Sequence, residues 1–297
     1  MSQVPLEMTA RADSPQQDHE RHDHTHEVVA DLAYQRLSMV NVVFYGLRHA
    51  GQRDWVLIDA GLPGTAPLIK RAADARFGKH TRPACIIMTH AHADHAGGLS
   101  YLAEEWQVPI YAHEYELPYL NGAAAYPPPD PHVGGVMSTL SVLFPRGPFN
   151  VARWLQPLSP DHSVPGMFGW TWLHTPGHTP GHISLWRETD RALIAGDAFV
   201  TTAQESVYAV LTQKPEMHGP PRYYTQNWEL AEESVRNLAS LEPEVAITGH
   251  GRAMRGEPMR AALHSLARGF RIVAVPRHGK YVQHPASVES GNAYCAK

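Results

Sequence analysis

The chain has 297 residues, of which 43% are hydrophobic, so it is long enough to bury one large core or two smaller ones. With 25 basic and 29 acidic side chains, its formal charge of -4 leaves no excess of positive potential to hold a polyanion by counterion release. Nucleic acid is therefore not expected as a partner. The unusual number is 20 histidines, because neutral imidazole is a common protein ligand for zinc, copper and iron.

Cysteine usage and the N-terminal sequence bear on location. Cys85 and Cys295 are the only cysteines, too few for a disulfide framework. The first thirty residues are polar and charged and lack the apolar stretch of a signal peptide. No run approaches the roughly 20 consecutive apolar residues that span a bilayer. We therefore expect a cytoplasmic protein with no membrane partner; the sequence leaves the oligomeric state open, with a homodimer among the alternatives.

Residues 1–27 are rich in histidine and poor in apolar side chains. The histidines of this segment are His19, His22, His24 and His26. Because hardly any apolar side chain is available to dock the segment on a core, we predict a disordered or loosely attached tail. A solvated extension is favoured over an accessory metal-binding tract. Residues 284–297 are predicted to be a second, frayed tail, which leaves residues 28–283 as the folded domain.

The sequence of the folded part predicts β structure followed by an alternation of helices and strands. In chain order the patterns predict a hairpin over 37–45 and 55–58, a helix over 67–77, a buried strand over 84–89, a helix over 99–106, strands near 171–173 and 192–195, a helix over about 228–241, and a strand over 245–248. Alternation of this type favours one layered α/β domain.

Residues 118–169 interrupt this alternation. The segment is rich in proline and glycine and includes a Pro-Pro-Pro run at 127–129, so we predict a loop-rich insertion. Insertions of this kind are typical of lids and substrate walls.

Four possible metal ligands lie in one turn directly after the predicted strand 84–89. They are His90, His92, Asp94 and His95, and a helix follows them. Three imidazoles and a carboxylate would desolvate and crowd one another in a core, whereas a divalent cation would make their convergence favourable. A single histidine here would be interpreted as a packed core residue, but the quartet indicates a metal site.

Three further candidates follow later strands. His178 follows the strand near 171–173, Asp197 follows 192–195, and His250 follows 245–248. The ends of strands in layered α/β folds gather along one sheet edge, where residues distant in sequence meet in a cleft. Glycine beside each candidate lets the backbone turn sharply.

These residues resemble the metallo-β-lactamase superfamily. Its H-x-H-x-D-H motif is matched by His90, His92, Asp94 and His95, and its later His, Asp and His are matched by His178, Asp197 and His250. The resemblance spans roughly residues 37–277, and the Thr-Pro-Gly-His-Thr-Pro-Gly-His run at 175–182 is similar to the glyoxalase II and acyl-homoserine-lactone lactonase branches. It implies an αββα sandwich and two divalent metal ions, Zn²⁺ first, with iron and manganese as alternatives.

The resemblance also implies how the ligands divide. One metal would bind His90, His92 and His178, the other Asp94, His95 and His250, and Asp197 would bridge them. Spacing alone indicates only seven convergent ligands.

Differences between this chain and several branches of the superfamily make those branches less suitable. The most familiar secreted β-lactamases place a cysteine among the second-metal ligands and carry an export signal, so antibiotic hydrolysis is not the first expectation. Flavodiiron members have Glu where this chain has His92 and carry an additional flavodoxin domain. RNA-processing members need an RNA-binding exosite, for which the charge balance gives no sign.

The expected chemistry is hydrolysis of a small molecule. Two metals can share a hydroxide and polarise a carbonyl, so the hydroxide would attack an ester, thioester or lactone. Asp94 or metal-bound water would return a proton to the leaving group. Asp59 resembles an early family Asp that orients a ligand-bearing region, and an ordinary turn residue is an equal alternative.

Substrate contacts are expected from aromatic residues of nearby loops. The candidates are Phe168, Trp170, Tyr223 and Tyr224, with Tyr119, Tyr126 and Tyr208 as further members of the group. Individually each is more easily explained by packing, but together they favour a pocket with apolar walls. His174 and His182 are expected to pack or support the site without binding metal, and Cys85 to be a buried small hydrophobe.

Two rival functions remain open at this level. Persulfide dioxygenases resemble the same motif set but use one iron on two histidines and an aspartate, which would make the chain an oxidoreductase. A non-catalytic zinc-binding protein is the second rival, and a structural site of that kind is usually closed with four ligands. We favour the dinuclear hydrolase because the seven-residue ligand set is complete.

Overall fold

The computed structural model describes residues 20–204 and 215–295. Its β-strands are β1 (His26–Val29), β2 (Leu32–Leu37), β3 (Val40–Tyr45), β4 (Val56–Ile58), β5 (Ile86–Ile87), β6 (Ile110–Ala112), β7 (Leu155–Pro157), β8 (Trp170–His174), β9 (Ile183–Arg187), β10 (Ala192–Gly196), β11 (Val245–Thr248) and β12 (Met254–Arg255). These strands form two sheets, one of seven strands in the order β1-β2-β3-β4-β5-β6-β7 and one of five in the order β12-β11-β10-β9-β8.

Helices cover the outer face of each sheet. The helices of the described residues are α1 (Ala66–Phe77), α2 (Ala93–Ala96), α3 (Leu99–Trp106), α4 (Leu117–Leu120), α5 (Val136–Leu140), α6 (Trp228–Ser240), α7 (Gly256–Val273) and α8 (Lys280–Gln283), with short 3₁₀ turns at Glu114–Glu116 and Ser141–Leu143. None of these described helices has the length and apolar character needed to cross a membrane. The two facing sheets with helices on both sides confirm the predicted αββα sandwich.

The core consists of three apolar layers, and strand residues alternate between them. Phe44 and Leu57 face α1 and α3 on one side of the seven-stranded sheet, whereas Val43 and Ile58 face the five-stranded sheet. This period of two follows from the pleat of a strand, whose successive side chains point to opposite faces. The third layer lies between the five-stranded sheet and the helices α6 and α7.

One edge of the sandwich collects the strand ends that carry the predicted ligands. Strands β4 and β5 run parallel in one sheet, and β10 and β11 run parallel in the other. Backbone hydrogen bonds join the two sheets there, from Ile183 N to Thr89 O at 3.0 Å and from Asn41 N to Gly249 O at 2.7 Å. The loops that follow β5 and β11 are therefore each held against a strand of the opposite sheet.

The structure corrects the boundaries predicted for the two tails. Residues 1–19 lie outside the described residues, but the fold begins before residue 27, because Asp23 and Thr25 are buried and β1 pairs with β2. A fully buried Arg76 ion-pairs with Glu27 at 3.3 Å, which fixes this segment on the sheet. At the other end, the Tyr119 hydroxyl donates to Ala293 O at 2.6 Å, so residues 284–295 are docked rather than frayed.

Several regular elements were not predicted from the sequence. Strands β2 and β9 and helix α7 are the largest of them, and β7 and two short helices lie within the insertion 118–169. The insertion packs on the core through Tyr119 and Tyr126, which are both buried. Its role as a lid stays a prediction.

Candidate metal centre

The turn after β5 presents the first four candidate ligands. His92 precedes α2, and Asp94 and His95 lie on this single helical turn. The turn is held closely against the chain before α1: a Cβ on Gly97 would lie 2.2 Å from the backbone nitrogen of Pro63. Glycine is therefore the residue that permits this approach.

The other three candidates follow strands of the second sheet, again beside glycine. Gly177, at φ +127°, packs so closely on α6 that a Cβ would lie 2.2 Å from Ala231 N, and this turn presents His178. A Cβ on Gly249 would lie 2.1 Å from Oδ1 of Asp197. The glycines that were predicted to permit sharp turns therefore also give the candidate ligands room to approach one another.

All seven predicted metal-ligand residues meet in one place. Three sets have ligand atoms within 4.8 Å of one another: the three-histidine group of His90, His92 and His178, the mixed group of Asp94, His95 and His250, and a connecting set of His90, His95 and Asp197. Asp197 lies between the first two sets. Its Oδ2 is 3.5 Å from His178 Nε2, 3.1 Å from His250 Nε2 and 3.6 Å from His95 Nε2. A single carboxylate oxygen thus faces both groups.

The donor atoms fit divalent metal ions. Within the described part of the chain, His90 Nε2, His95 Nε2 and Asp197 Oδ1 are buried without a hydrogen-bond partner. Such groups are unfavourable in an apolar interior unless another partner compensates them. Imidazole nitrogens and carboxylate oxygens without thiolate are suited to zinc, iron or manganese. The centre therefore has the composition expected of a site for divalent metals.

Burial favours the neutral form of the imidazoles in the three-histidine group. Burial lowers the pKa of His90 and His178 well below the usual range, and neighbouring imidazoles lower it further. His92 Nδ1 lies 3.0 Å from His178 Nε2, so at most one proton can occupy the space between them. Neutral imidazole is the form that binds a metal.

Carboxylates dominate the mixed group. Although burial alone would lower the pKa of His250, Asp197 and Asp94 raise it to about 10. His95 is affected in the same way, with its pKa raised by Asp197, Asp94 and Asp59 against the effect of burial. A positive charge is therefore stabilised at this position. Asp94 is the candidate ligand most open to solvent, with its side chain 18% exposed.

Asp59 supports the mixed group from behind. Its Oδ2 accepts hydrogen bonds from His95 Nδ1 and from the Thr89 hydroxyl, both at 2.8 Å, and its Oδ1 accepts from Thr89 N. Asp59 adopts a left-handed φ of 61°, which directs its side chain toward the ligand turn. It therefore has contacts that orient His95 and leave Nε2 free for a metal.

Sequence reasoning missed Glu116, a fully buried carboxylate beside the centre. It accepts hydrogen bonds from Ala91 N, the Tyr126 hydroxyl, the Thr179 hydroxyl and Gly181 N. Burial raises its pKa, whereas these hydrogen bonds act in the opposite direction. Nothing in its local sequence distinguishes it from the exposed Glu114 two residues earlier, because the contacts come from distant loops.

The remaining histidines of the ligand loop serve as supports. His182 Nε2 accepts a hydrogen bond from Asp197 N at 2.8 Å, so this imidazole holds the backbone of a candidate ligand. His174 instead stacks on His113 at 4.2 Å between ring centroids. Cys85 is buried in the core between the sheets, and burial raises the pKa of its thiol to about 12.

The structure separates the aromatic substrate-contact candidates. The Tyr224 ring stacks on His92 with centroids 4.4 Å apart, and Tyr223 packs against Tyr224 at 4.9 Å. Trp170 is buried in the core between the sheets, where Arg187 lies over its ring.

Phe168 and Trp170 therefore do not fit a substrate contact. They lie at the opposite end of β8 from His174, the end that leads to His178, and a five-residue strand spans about 13 Å or more. Tyr119 and Tyr126 are buried supports, and Tyr208 lies outside the described residues.

An αββα sandwich that brings three imidazoles, a mixed Asp/His set and a carboxylate between them to one edge has the architecture of a metallo-hydrolase. The model of the metallo-β-lactamase superfamily matches residues 36–250, and the chain belongs to that superfamily.

Curated relatives support the same class. The chain is 46% identical over 232 residues to "Probable metallo-hydrolase YflN" of Bacillus subtilis, covering 78% of this chain and 88% of the relative. It is 30% identical over 198 residues to "Probable metallo-hydrolase YybB" of the same organism, covering 67% and 76%. A solved β-lactamase domain protein from Burkholderia ambifaria shares the fold at a TM-score of 0.57 and 21% identity, covering 86% of this chain and 79% of that one.

Proposed function

We propose that the chain is a dinuclear metal-dependent hydrolase that cleaves an ester, thioester or lactone bond of a small molecule, with Zn²⁺ as the preferred ion. The observation that carries the proposal is the position of Asp197, whose Oδ2 lies within 3.6 Å of ligand nitrogens from both candidate groups. One carboxylate shared between two sets of ligands suits a pair of ions better than one.

Two divalent ions in this position would supply an activated water near neutral pH and an electrophile for the carbonyl oxygen. Asp94 is placed to handle the proton. Although its burial favours the neutral acid, His95 and His250 hold the pKa of Asp94 below the usual range, so it is ionised before reaction. As the candidate ligand most open to solvent, it can pass a proton toward the leaving group.

Tyr224 is the side chain best placed to meet the substrate. Burial, together with the charge of Asp94, raises its pKa, so its phenol stays protonated at neutral pH and can donate a hydrogen bond. A small apolar cluster flanks it, formed by Val133, Tyr223 and the partly buried Met39 and Phe144. We propose that this cluster holds the non-reacting part of the substrate.

The first test is the metal content of the purified full chain, measured by mass spectrometry, with turnover of a panel of esters, thioesters and lactones. Two divalent ions per chain together with turnover of at least one substrate class is the expected result. One iron per chain, with oxygen consumption on a persulfide, would overturn the proposal in favour of an oxidoreductase.

Tyr224→Phe tests the substrate contact. Loss of one hydrogen bond to developing charge should lower kcat on the active substrate by about tenfold to a hundredfold, with both ions retained. Tyr281→Phe is the matched control, because that hydroxyl donates to the backbone oxygen of Pro128. Equal effects of the two substitutions would remove Tyr224 from the proposal.

A further inference from the structure

Glu116 joins the two loops that carry the three-histidine group. Its Oε2 accepts from Ala91 N at 3.0 Å, and Ala91 lies between His90 and His92 in the chain. Its Oε1 accepts from the Thr179 hydroxyl at 2.7 Å, and Thr179 follows His178 directly. Each histidine of the group is therefore next in sequence to a residue that Glu116 holds.

The loop that carries His178 is shaped around the Glu116 carboxylate. Gly181 donates its N–H to Oε1 at 2.8 Å, and a Cβ at that position would lie 2.8 Å from Glu116 Cγ and 2.9 Å from Oε1. A side chain at 181 would thus force the two loops apart. The Tyr126 hydroxyl completes the arrangement by donating to Oε2 while it accepts from Ala91 N.

Charge gives a second reason for a carboxylate at this place. Among the described residues, no Lys or Arg forms an ion pair with Glu116, although the side chain is 0% exposed. A buried carboxylate without a cation is unfavourable even when hydrogen bonds satisfy its oxygens. The three-histidine group has the opposite imbalance, since three neutral imidazoles would bind a divalent cation without supplying negative charge.

We propose that Glu116 is a positioning residue for the three-histidine group: it fixes the separation of the His90–His92 turn from the His178 loop and supplies the negative charge that the imidazoles lack. The inference rests on the proposed two-metal function. It adds that the two ions depend on different buried carboxylates, Glu116 for one and Asp59 for the other.

Glu116→Gln is the direct test, because the amide keeps the size of the side chain but presents an N–H₂ group where Ala91 N–H or Gly181 N–H needs an acceptor. Zinc-loaded full chain is titrated with a chelator, the ions per chain are counted by mass spectrometry, and imidazole NMR signals of His92 and His95 report which group empties. We expect one ion, at the three-histidine group, to bind about tenfold to a hundredfold more weakly. The other ion should keep its affinity.

Loss of both ions together, or an unchanged titration, would overturn the proposal. If the unsubstituted chain binds fewer than two ions, the proposed dinuclear function fails instead, so the two failures are distinguishable. The metal-free protein gives an independent readout: hydrogen exchange at the amides of Ala91 and Gly181 should be faster in Glu116→Gln, and unchanged exchange would contradict the positioning role.

If Glu116→Gln does not fold, two substitutions of Thr179 give a matched pair of variants for the same test. Thr179→Val removes the hydroxyl that donates to Glu116 and keeps the volume of the side chain, so it should weaken the same ion by a few-fold. Thr179→Ser keeps the hydroxyl and should restore the affinity. Equal affinities for the valine and serine variants would overturn the proposal, because shape alone would then explain the contact.

Discussion

The two halves of the candidate metal centre are built on opposite electrostatic principles. In the three-histidine group, burial and neighbouring imidazoles lower the pKa of His90 and His178. In the mixed group, carboxylates outweigh the burial that opposes them and raise the pKa of His95 and His250. The two neighbouring sets of ligands therefore differ in whether they attract positive charge before any metal binds.

This difference indicates where each half obtains its negative charge. The mixed group has Asp94 among its own ligands and is supported by Asp59. The three-histidine group has no carboxylate among its own three residues. The shared Asp197 lies 3.5 Å from His178 Nε2, and the buried Glu116 holds Thr179, the residue after that histidine. Substitutions that remove one source of charge at a time should therefore separate the two halves.

Asp197→Asn should have the largest effect, because it removes the charge shared by both halves. We expect at least one ion to be lost and turnover to fall by about a thousandfold or more. Metal content and kcat/KM measure both effects, and circular dichroism checks the fold. Asp161→Asn, on an exposed loop, is the control and should leave both quantities unchanged. Full metal content in Asp197→Asn would contradict a bridging role.

Gly249→Ala tests whether the two halves of the centre must lie this close together, and it changes no charge. The new Cβ would lie 2.1 Å from Asp197 Oδ1 and 2.7 Å from His95 Cε1, so both side chains must shift. A displacement of about 1 Å in a catalytic arrangement can reduce turnover by about a hundredfold, which is the expected loss. Gly51→Ala is the control, because a Cβ at residue 51 would lie 3.5 Å from the side chain of Asp54, its nearest neighbour. Equal turnover in the two variants would mean that the centre tolerates the displacement.

Asp59→Asn should weaken only the mixed group. Asparagine tolerates the left-handed backbone of residue 59 but replaces the charged oxygen that accepts from His95. We expect about a tenfold weaker affinity for one ion, at the group opposite to the one that Glu116→Gln affects. Chelator titration of the zinc-loaded chain measures it. If both substitutions release the same ion, the division of the centre into two separately supported halves is wrong.

The ligands were predictable because their signal is local. His90, His92, Asp94 and His95 lie within six residues, and each later candidate follows a short apolar strand beside a glycine. The sandwich followed from the same strands and from the family resemblance. Glu116 was not predictable, because its four hydrogen bonds come from residues up to 65 positions away in the chain.

The same limit explains the aromatic residues. Tyr224 and Trp170 are equally plausible as loop aromatics in the sequence, yet one stacks on His92 and the other fills the core. Whether an aromatic side chain near the end of a loop lies at the metal centre or in the core depends on how the two sheets pack. Likewise, the polar residues 20–27 offered few apolar side chains for packing, but the carboxylates of Asp23 and Glu27 pair with Arg48 and with the buried Arg76.

A second histidine cluster, outside the centre, separates the effect of burial from that of carboxylates. His113 stacks on His174 at 4.2 Å and lies 5.6 Å from the Trp172 ring, measured between ring centroids. Burial, with smaller contributions from His174 and His162, lowers the pKa of His113 to about 4. It therefore resembles the three-histidine group but contains no candidate metal ligand.

His113→Asn should change the pH dependence of stability by a modest amount. Because the folded state binds a proton to His113 more weakly than the unfolded state, its contribution is complete above pH 6.5 and is lost as the pH falls from 6.5 toward 4. Asparagine can still accept from Tyr115 N, as His113 Nδ1 does, but does not titrate. Between pH 7 and pH 5 the unsubstituted chain should therefore lose about 1 to 2 kcal/mol more unfolding free energy than the variant. Urea unfolding of the metal-free proteins at both pH values measures the difference. Equal losses would show that burial among imidazoles does not suppress protonation here, and the same explanation for His90 and His178 would then lose its support.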